Sequence, residues 1–204
     1  MSVARILRHR RFGLHALAFV LACMAWPLAA AAGADANFAR LQRADAVVEG
    51  AKDPKFVLYV LFDANCLYCH LTWKAVQPYE KVGLQVRWVP VAYQQPSSAG
   101  RAAAIMQARD RVAAMRINET GYDAKRFDGG IAPAHAVPSR LEREFARNTE
   151  LMKAFGAPGT PVVAWKDANG TVHVKVGVPR LSELPGITGL PAQRNDDPDL
   201  AAFR

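Results

Sequence analysis

Residues 56–70 decide the fold of this chain and read Phe56-Val57-Leu58-Tyr59-Val60-Leu61-Phe62-Asp63-Ala64-Asn65-Cys66-Leu67-Tyr68-Cys69-His70. The stretch opens with a continuous apolar run, which is typical of a strand buried on both faces. The residues from Cys66 onward predict a helix, so a buried strand delivers a Cys-x-x-Cys motif to a helix N-terminus. There the Cys66 thiol lies among free backbone N–H groups at the positive end of the helix dipole, which stabilise its thiolate. Because Cys69 lies one helical turn further on, its sulfur is close enough to attack a mixed disulfide formed on Cys66.

The motif by itself allows other chemistry. Cys66 to His70 also spell Cys-x-x-Cys-His, the attachment signature of c-type haem. An electron-carrying haem protein would need a distal axial ligand as well, and the sequence does not identify one. The two cysteines with His70 could instead begin a metal site, or the cysteines could form a structural disulfide. Redox catalysis, haem attachment, metal binding and a structural bridge therefore remain open at this point.

The N-terminal segment, residues 1–34, predicts a secretory signal peptide. Four arginines lie in its first 11 residues, an apolar run follows at 13–25, and small residues at 29–34 offer Ala-x-Ala cleavage sites. Its removal also removes Cys23 and leaves Cys66 and Cys69, an even number that suits an oxidising compartment. Four arginines leave with it, so 26 Lys and Arg become 22 against 18 Asp and Glu, and the net charge falls from +8 to +4. The remaining basic residues are not clustered, which argues against a nucleic-acid partner.

The rest of the chain, about 170 residues, is long enough for one domain with its own core. We expect a short N-terminal helix within 35–52, with its amphipathic pattern over 36–48, before the buried strand. A second strand is predicted over 84–91, followed by a helical insert at about 97–156 and a hairpin around Asn169-Gly170, which is a strong turn signal. The Pro- and Asp-rich tail, residues 191–204, is predicted to be disordered.

Two segments together resemble bacterial thiol:disulfide interchange proteins of the DsbC/DsbG type, which are members of the thioredoxin superfamily. The first is the stretch from Phe62 to His70 with Pro78 later in the helix, and the second is residues 151–161, which end in Gly159-Thr160-Pro161. The resemblance covers about residues 53–190. It implies an α/β, thioredoxin-like fold with an inserted helical subdomain and the activity of a periplasmic dithiol oxidoreductase.

The resemblance also implies roles for individual residues. Cys66 would be the exposed nucleophile and Cys69 the resolving thiol, and the two would form the redox disulfide. Thr160-Pro161 would carry a cis peptide bond facing the sulfurs and leave the Thr160 backbone open to pair with a substrate strand. Tyr68 would line the same surface, and together with Thr160 before the proline it favours the isomerase or reductase branch over the DsbA-like oxidase branch.

Two neighbouring residues are expected to support the dithiol. Asp63 could tune proton transfer, but we expect it to cap the helix. His70 could influence thiolate stability, but we expect an exposed histidine on the helix surface.

The sequence departs from DsbC and DsbG in one respect, since only about 20 residues separate the predicted cleavage site from the first strand, too few for a dimerisation domain. We therefore expect a monomer. The expected substrates are periplasmic proteins with disulfides or oxidised cysteines. A DsbD-like membrane thiol reductant would re-reduce the oxidised Cys66 and Cys69. Neither a cofactor nor a metal is expected. The alternatives to a reductase or isomerase are a DsbA-like net thiol oxidase and a c-type haem electron carrier.

Overall fold

The computed structural model describes residues 33–204. The predicted signal peptide, including Cys23, lies outside these residues except for its last two positions. The described residues begin in a helix, α1, that ends at residue 43, and residues 37–204 form one compact unit. Among the described residues, no helix is long and apolar enough to cross a membrane.

A five-stranded mixed sheet is the centre of the fold. Its strands are β1 (Val47–Gly50), β2 (Phe56–Asp63), β3 (Leu84–Val91), β4 (Val162–Lys166) and β5 (Val172–Val176), in the spatial order β1-β3-β2-β4-β5. Only β2 and β3 run parallel. The predicted hairpin is confirmed, since β4 and β5 pair in antiparallel fashion and Gly170 adopts the positive φ that the turn requires.

The helices pack on both faces of this sheet. They are α2 (Leu67–Glu80), α3 (Ser98–Gln107), α4 (Arg111–Thr120), α5 (Ser139–Ala154), the short α6 (Leu184–Thr188) and a final 3-10 helix (Pro198–Phe203). Alternate residues of β2 enter separate cores: Leu58 and Val60 belong to the cluster that contains α2, and Leu61 to the cluster with α5 residues Leu151 and Met152. Burial on both faces explains why this strand is apolar without a break.

The predicted N-terminal helix is shorter than expected, and its last residues form a strand instead. The amphipathic pattern over 36–48 predicted a helix to Val48, but β1 begins at Val47 and pairs with β3, Val47 opposite Trp88. Val47 and Glu49 are buried while Val48 is exposed, which is the alternation of a strand. The open edge of β3 provides hydrogen-bond partners that a local pattern cannot reveal.

The predicted disorder of residues 191–204 is wrong. Leu200 in the final 3-10 helix is fully buried, and Lys74 of α2 forms ion pairs with Asp197 and Asp199. The Asn195 side-chain amide donates to the Lys74 carbonyl at 2.9 Å.

Pro78 explains this last contact. In a regular helix the N–H four residues later would donate to the Lys74 carbonyl, but Pro78 occupies that position within α2 and has no N–H. Asn195 of the tail supplies the missing donor. The tail therefore completes the hydrogen bonding of the helix that carries the two cysteines, a role that its polar composition does not indicate.

Candidate active site

Cys66 is the N-cap residue of α2. Its Sγ accepts a hydrogen bond from the Cys69 N–H at 3.3 Å and lies 3.5 Å from the Thr160 carbonyl oxygen. The hydrogen bond with the Cys69 thiol is the largest cause that lowers the pKa of Cys66. Burial opposes it, and hydrogen bonds with the Thr160 side chain, the Cys69 N–H and the Gln94 side chain add to it. The pKa of Cys66 is therefore lowered from 9.0 to about 7, so much of this thiol is ionised at neutral pH.

Cys69 has the opposite electrostatic environment. It is buried within α2, and burial raises its pKa well above 9.0, with further increases from the hydrogen bond to Cys66 and from the charge on that residue. Both cysteines are free thiols in the structure. One proton shared between these two sulfurs therefore resides on Cys69, and the negative charge resides on Cys66.

Cys66 is less accessible than the resemblance implies. Only 2% of the residue is exposed, because the Thr160 carbonyl lies against its sulfur and Gln94 is close enough to hydrogen-bond it. The expectation of an exposed nucleophile is thus wrong for this conformation. A substrate disulfide can reach the sulfur only after some of the covering groups have moved.

The loop opposite the sulfurs contains the cis peptide bond between Thr160 and Pro161. Both residues are buried. The Thr160 N–H donates to the Tyr93 hydroxyl at 3.0 Å, and the Thr160 hydroxyl accepts from the Gln94 side-chain amide at 3.0 Å. The Thr160 backbone was expected to be open to a substrate strand, but the protein's own groups engage both its N–H and its carbonyl. Tyr68, by contrast, is 54% exposed at the start of α2.

Asp63 does not cap α2, contrary to expectation, since Cys66 occupies the cap position. Its buried carboxylate accepts four hydrogen bonds instead. Oδ1 accepts from the Asn65 N–H and the Ser98 hydroxyl, and Oδ2 accepts from the N–H groups of Tyr93 and Gln94. Asp63 therefore joins the end of β2 to the segment that follows β3. It fixes the backbone of Gln94, which lies near the Cys66 sulfur, and of Tyr93, which contacts Thr160.

His70 is buried rather than exposed on the helix surface. Its Nδ1 lies 2.9 Å from Oε2 of Glu119 on α4, and its ring stacks on Tyr122 with centroids 4.6 Å apart. Glu119 also accepts from the side-chain amide of Asn118, which donates to the Ala64 carbonyl as well. The expectation failed because α4 of the helical insert covers this face of α2, which local sequence does not show.

Other residues of the site were missed in the sequence. Asn65, directly before Cys66, is fully buried. Its side-chain amide donates to the hydroxyls of Ser97 and Ser98, and its side-chain oxygen accepts from the Gly129 N–H. Its backbone carbonyl accepts from the Tyr122 hydroxyl. Residues 93–98 could have been found, because they follow β3, which runs parallel to β2, and the carboxyl ends of parallel strands meet at one edge. Residues 118–129 carry no comparable local signal.

The contacts of His70 fit the haem alternative poorly. As a haem ligand, His70 would have to leave Glu119 and the Tyr122 ring, and both cysteines would have to leave the core. Within residues 33–204, no group of three or more His, Cys, Asp or Glu side chains is placed to hold a metal ion.

The sequence matches the thioredoxin-like domain family over residues 41–184. It is 26% identical over 151 residues to the thiol:disulfide interchange protein DsbG of Pseudomonas aeruginosa, covering 74% of this chain and 57% of that protein. It is 27% identical over 151 residues to DsbG of Escherichia coli, covering 74% and 59%, respectively. It is 30% identical over 119 residues to DsbC of Haemophilus influenzae, covering 57% and 47%. The chain thus spans little more than half the length of the DsbG relatives.

Solved structures share the fold. The catalytic domain of Proteus mirabilis ScsC superposes with a TM-score of 0.57 at 20% identity, covering 76% of this chain and 94% of that domain. A periplasmic thioredoxin-like protein from Salmonella enterica serovar Typhimurium superposes with a TM-score of 0.58 at 18% identity, covering 74% and 92%. The thioredoxin-like α/β fold and the resemblance to DsbC and DsbG are confirmed. The chain belongs to the thioredoxin-like domain family.

Proposed function

We propose that this chain is a periplasmic thiol:disulfide oxidoreductase that reduces or isomerises protein disulfides, or reduces oxidised cysteines, through Cys66 and Cys69. The observation that carries the proposal is that the pKa of the Cys66 thiol is lowered while that of the neighbouring Cys69 thiol is raised. Thiol–disulfide exchange needs a thiolate to attack and a protonated partner that does not compete with it. The DsbG and DsbC relatives are thiol:disulfide interchange proteins by name.

The reaction follows from the electrostatics of the pair. The Cys66 thiolate attacks one sulfur of the substrate disulfide, forms a mixed disulfide and releases the other sulfur as a thiolate, which takes up a proton. Cys66 no longer carries a charge in the mixed disulfide, so the part of the pKa rise of Cys69 that comes from this charge disappears. Cys69 then loses its proton more readily, attacks Cys66 and releases the second substrate thiol. Two electrons pass to the substrate, and Cys66 and Cys69 form a disulfide.

The pKa of Cys66 favours a reductase or isomerase over a net oxidase. In a strong oxidase of the DsbA kind the nucleophilic cysteine has a pKa of about 3.5, and its stable thiolate stabilises the reduced form of the protein. The nucleophilic cysteine of thioredoxin has a pKa of about 7. The pKa of about 7 for Cys66 lies at the thioredoxin end of this range. A net reductase must itself be re-reduced, and a membrane thiol reductant of the DsbD kind would supply the electrons.

The location, the substrates and the monomeric state are part of the same proposal. The sequence of residues 1–34 and the even number of cysteines after it support export to the periplasm. In this proposal Tyr68, Thr160 and Pro161 contact the substrate polypeptide; the Thr160 carbonyl oxygen lies 3.5 Å from the Cys66 sulfur. This chemistry requires no haem. The packing of His70 against Tyr122 favours a dithiol oxidoreductase over a c-type haem electron carrier.

The reduction potential of the Cys66/Cys69 couple tests the proposed direction. We expect a value near that of thioredoxin, about −270 mV, rather than that of DsbA, about −120 mV, after equilibration with thiol redox buffers. Cys69→Ser should accumulate substrate proteins as mixed disulfides on Cys66, visible on non-reducing gels, and the matched variant Cys66→Ser should trap none. A wild-type protein with no thiol turnover, or one whose purified form shows a Soret band, would contradict the proposal.

A further inference from the structure

The loop before Pro161 offers few backbone donors to a ligand. Within residues 156–161, Pro158 and Pro161 have no N–H, and the N–H groups of Gly156 and Ala157 donate to carbonyls at the end of α5. Of the two amides that remain, that of Thr160 belongs to the residue whose carbonyl lies 3.5 Å from the Cys66 sulfur. A polypeptide that pairs with this loop beside the nucleophile therefore depends on the Thr160 N–H.

This N–H is already occupied by a side chain of the protein. The Tyr93 hydroxyl accepts from it at 3.0 Å and also lies 3.4 Å from the Thr160 side-chain oxygen. The separation is that of an N–H···O bond to a peptide carbonyl in a sheet. The phenol oxygen thus takes the acceptor position on this N–H that the carbonyl oxygen of an extended substrate strand would need.

The inference rests on the proposed function and adds a determinant of its substrate class. We propose that Tyr93 is a specificity-determining residue: its hydroxyl occupies the substrate position on the Thr160 N–H, so a polypeptide disulfide must displace it. A small disulfide without backbone amides has no need of this N–H and does not compete with Tyr93.

The surroundings of Tyr93 allow this displacement without a change in the fold. Its backbone is held, because its N–H and that of Gln94 both donate to Asp63. Its side chain is 42% exposed, so the ring can rotate towards solvent. A β-carbon placed on Gly159 would lie 3.2 Å from the Tyr93 hydroxyl oxygen; the absence of a side chain there leaves room for the hydroxyl against the loop.

Tyr93→Phe tests the proposal, because it removes the competing oxygen and keeps the ring over the site. With a linear peptide disulfide as substrate, we expect KM to fall about fivefold and kcat to stay unchanged, since exchanging one neutral hydrogen bond is worth about 1 kcal/mol, and 1.4 kcal/mol is tenfold. With hydroxyethyl disulfide, which has no amides, the change in KM should be smaller than for the peptide, because this substrate does not use the Thr160 N–H. The control Tyr59→Phe alters a buried tyrosine in the sheet and should change neither substrate's constants.

Two outcomes overturn the proposal. One is a KM for the peptide disulfide that is unchanged or higher in Tyr93→Phe, which would mean that the hydroxyl does not compete with substrate. The other is an equal change for both substrates, which would mean that Tyr93 acts on access to Cys66 and not on recognition of a backbone.

A binding measurement separates this proposal from the proposed function. In the full chain with Cys66→Ser, the amide resonance of Thr160 is followed by NMR during titration with the same peptide in its reduced form. Adding Tyr93→Phe should tighten binding about fivefold. The same affinity with and without the hydroxyl would refute the role of Tyr93 even in an active oxidoreductase. Tighter binding in this experiment, together with no thiol turnover by the wild-type protein, would support the role of Tyr93 and refute the proposed function.

Discussion

The low pKa of Cys66 depends mainly on the thiol of Cys69, and this gives a quantitative prediction. A shift from 9.0 to about 7 corresponds to about 2.7 kcal/mol in favour of the thiolate, at about 1.36 kcal/mol per pH unit. Cys69→Ala removes the largest cause and leaves the backbone N–H of residue 69 and the contacts with Thr160 and Gln94. A hydrogen bond to a charged group is worth about 1.5–3 kcal/mol, so the pKa of Cys66 should rise by about 1–2 units.

The pH dependence of Cys66 alkylation by iodoacetamide measures this pKa. Cys69→Ser is the matched control, because its hydroxyl can still donate to the Cys66 sulfur and should hold the midpoint close to 7. The same midpoint in Cys69→Ala as in wild type would refute the role of the thiol. Equal shifts in the alanine and serine variants would show that the side-chain donor at position 69 is unimportant.

A linked effect on stability has a defined sign. The pKa of Cys66 is lower in the folded than in the unfolded protein, so its contribution to stability is fully present above pH 9 and is lost as the pH falls towards 7. The Cys66 contribution to the unfolding free energy of the reduced protein should therefore rise between pH 7 and 9, while the raised pKa values of Glu80 and Cys69 act in the opposite direction. The change in unfolding free energy between these pH values should be less positive in Cys69→Ala than in Cys69→Ser, because neither variant has a thiol at position 69 and only the serine keeps the donor to Cys66. Urea denaturation at these two pH values would show the difference.

Three further predictions concern the framework around the site. Burial and the charge of Glu49 raise the pKa of Glu80 to about 8, so the stability that its neutral form provides is complete below pH 4.5 and is lost as the pH rises through 8. Glu80→Gln should therefore stabilise the protein by on the order of 2 kcal/mol at pH 9 and have no effect at pH 4. Equal effects at the two pH values would contradict this prediction. Asn195→Ala should lower the free energy of unfolding, measured with denaturant, by about 1–3 kcal/mol, because the Lys74 carbonyl loses its donor. In a Pro78→Ala background, which restores the helical N–H donor, this loss should nearly vanish. A loss of the same size in both backgrounds would refute the link between Asn195 and Pro78. The chain without residues 1–34 should scatter light as a monomer at micromolar concentration, and a stable dimer would show that another surface provides an interface.

The sequence predicts the centre of the structure well because the signals there are local and strong. The unbroken apolar run of β2 is a buried strand, Asn169-Gly170 forms a hairpin turn, and Cys66 begins α2. Each of these features depends on neighbours within a few residues, either through the strand pattern, the turn conformation or the helix terminus.

The parts that were missed depend on contacts between distant segments. His70 is buried because Glu119 and Tyr122 of the insert pack on it, and Asp63 holds Tyr93 and Gln94 because β2 and β3 are parallel neighbours. The local pattern predicts a helix where β1 forms, because it contains no sign of the neighbouring edge of β3. The composition of the tail predicts disorder, because one buried leucine and one asparagine contact do not change that composition.

The asparagine that replaces the donor lost at Pro78 also has a consequence for biosynthesis. Asn195 lies 121 residues after Lys74, and ribosomes add about 5–20 residues per second. The last turn of α2 therefore cannot gain this hydrogen bond until at least roughly 6–24 seconds after its own residues have been made. The helix that carries the two cysteines can therefore complete its hydrogen bonding only after the tail has been made.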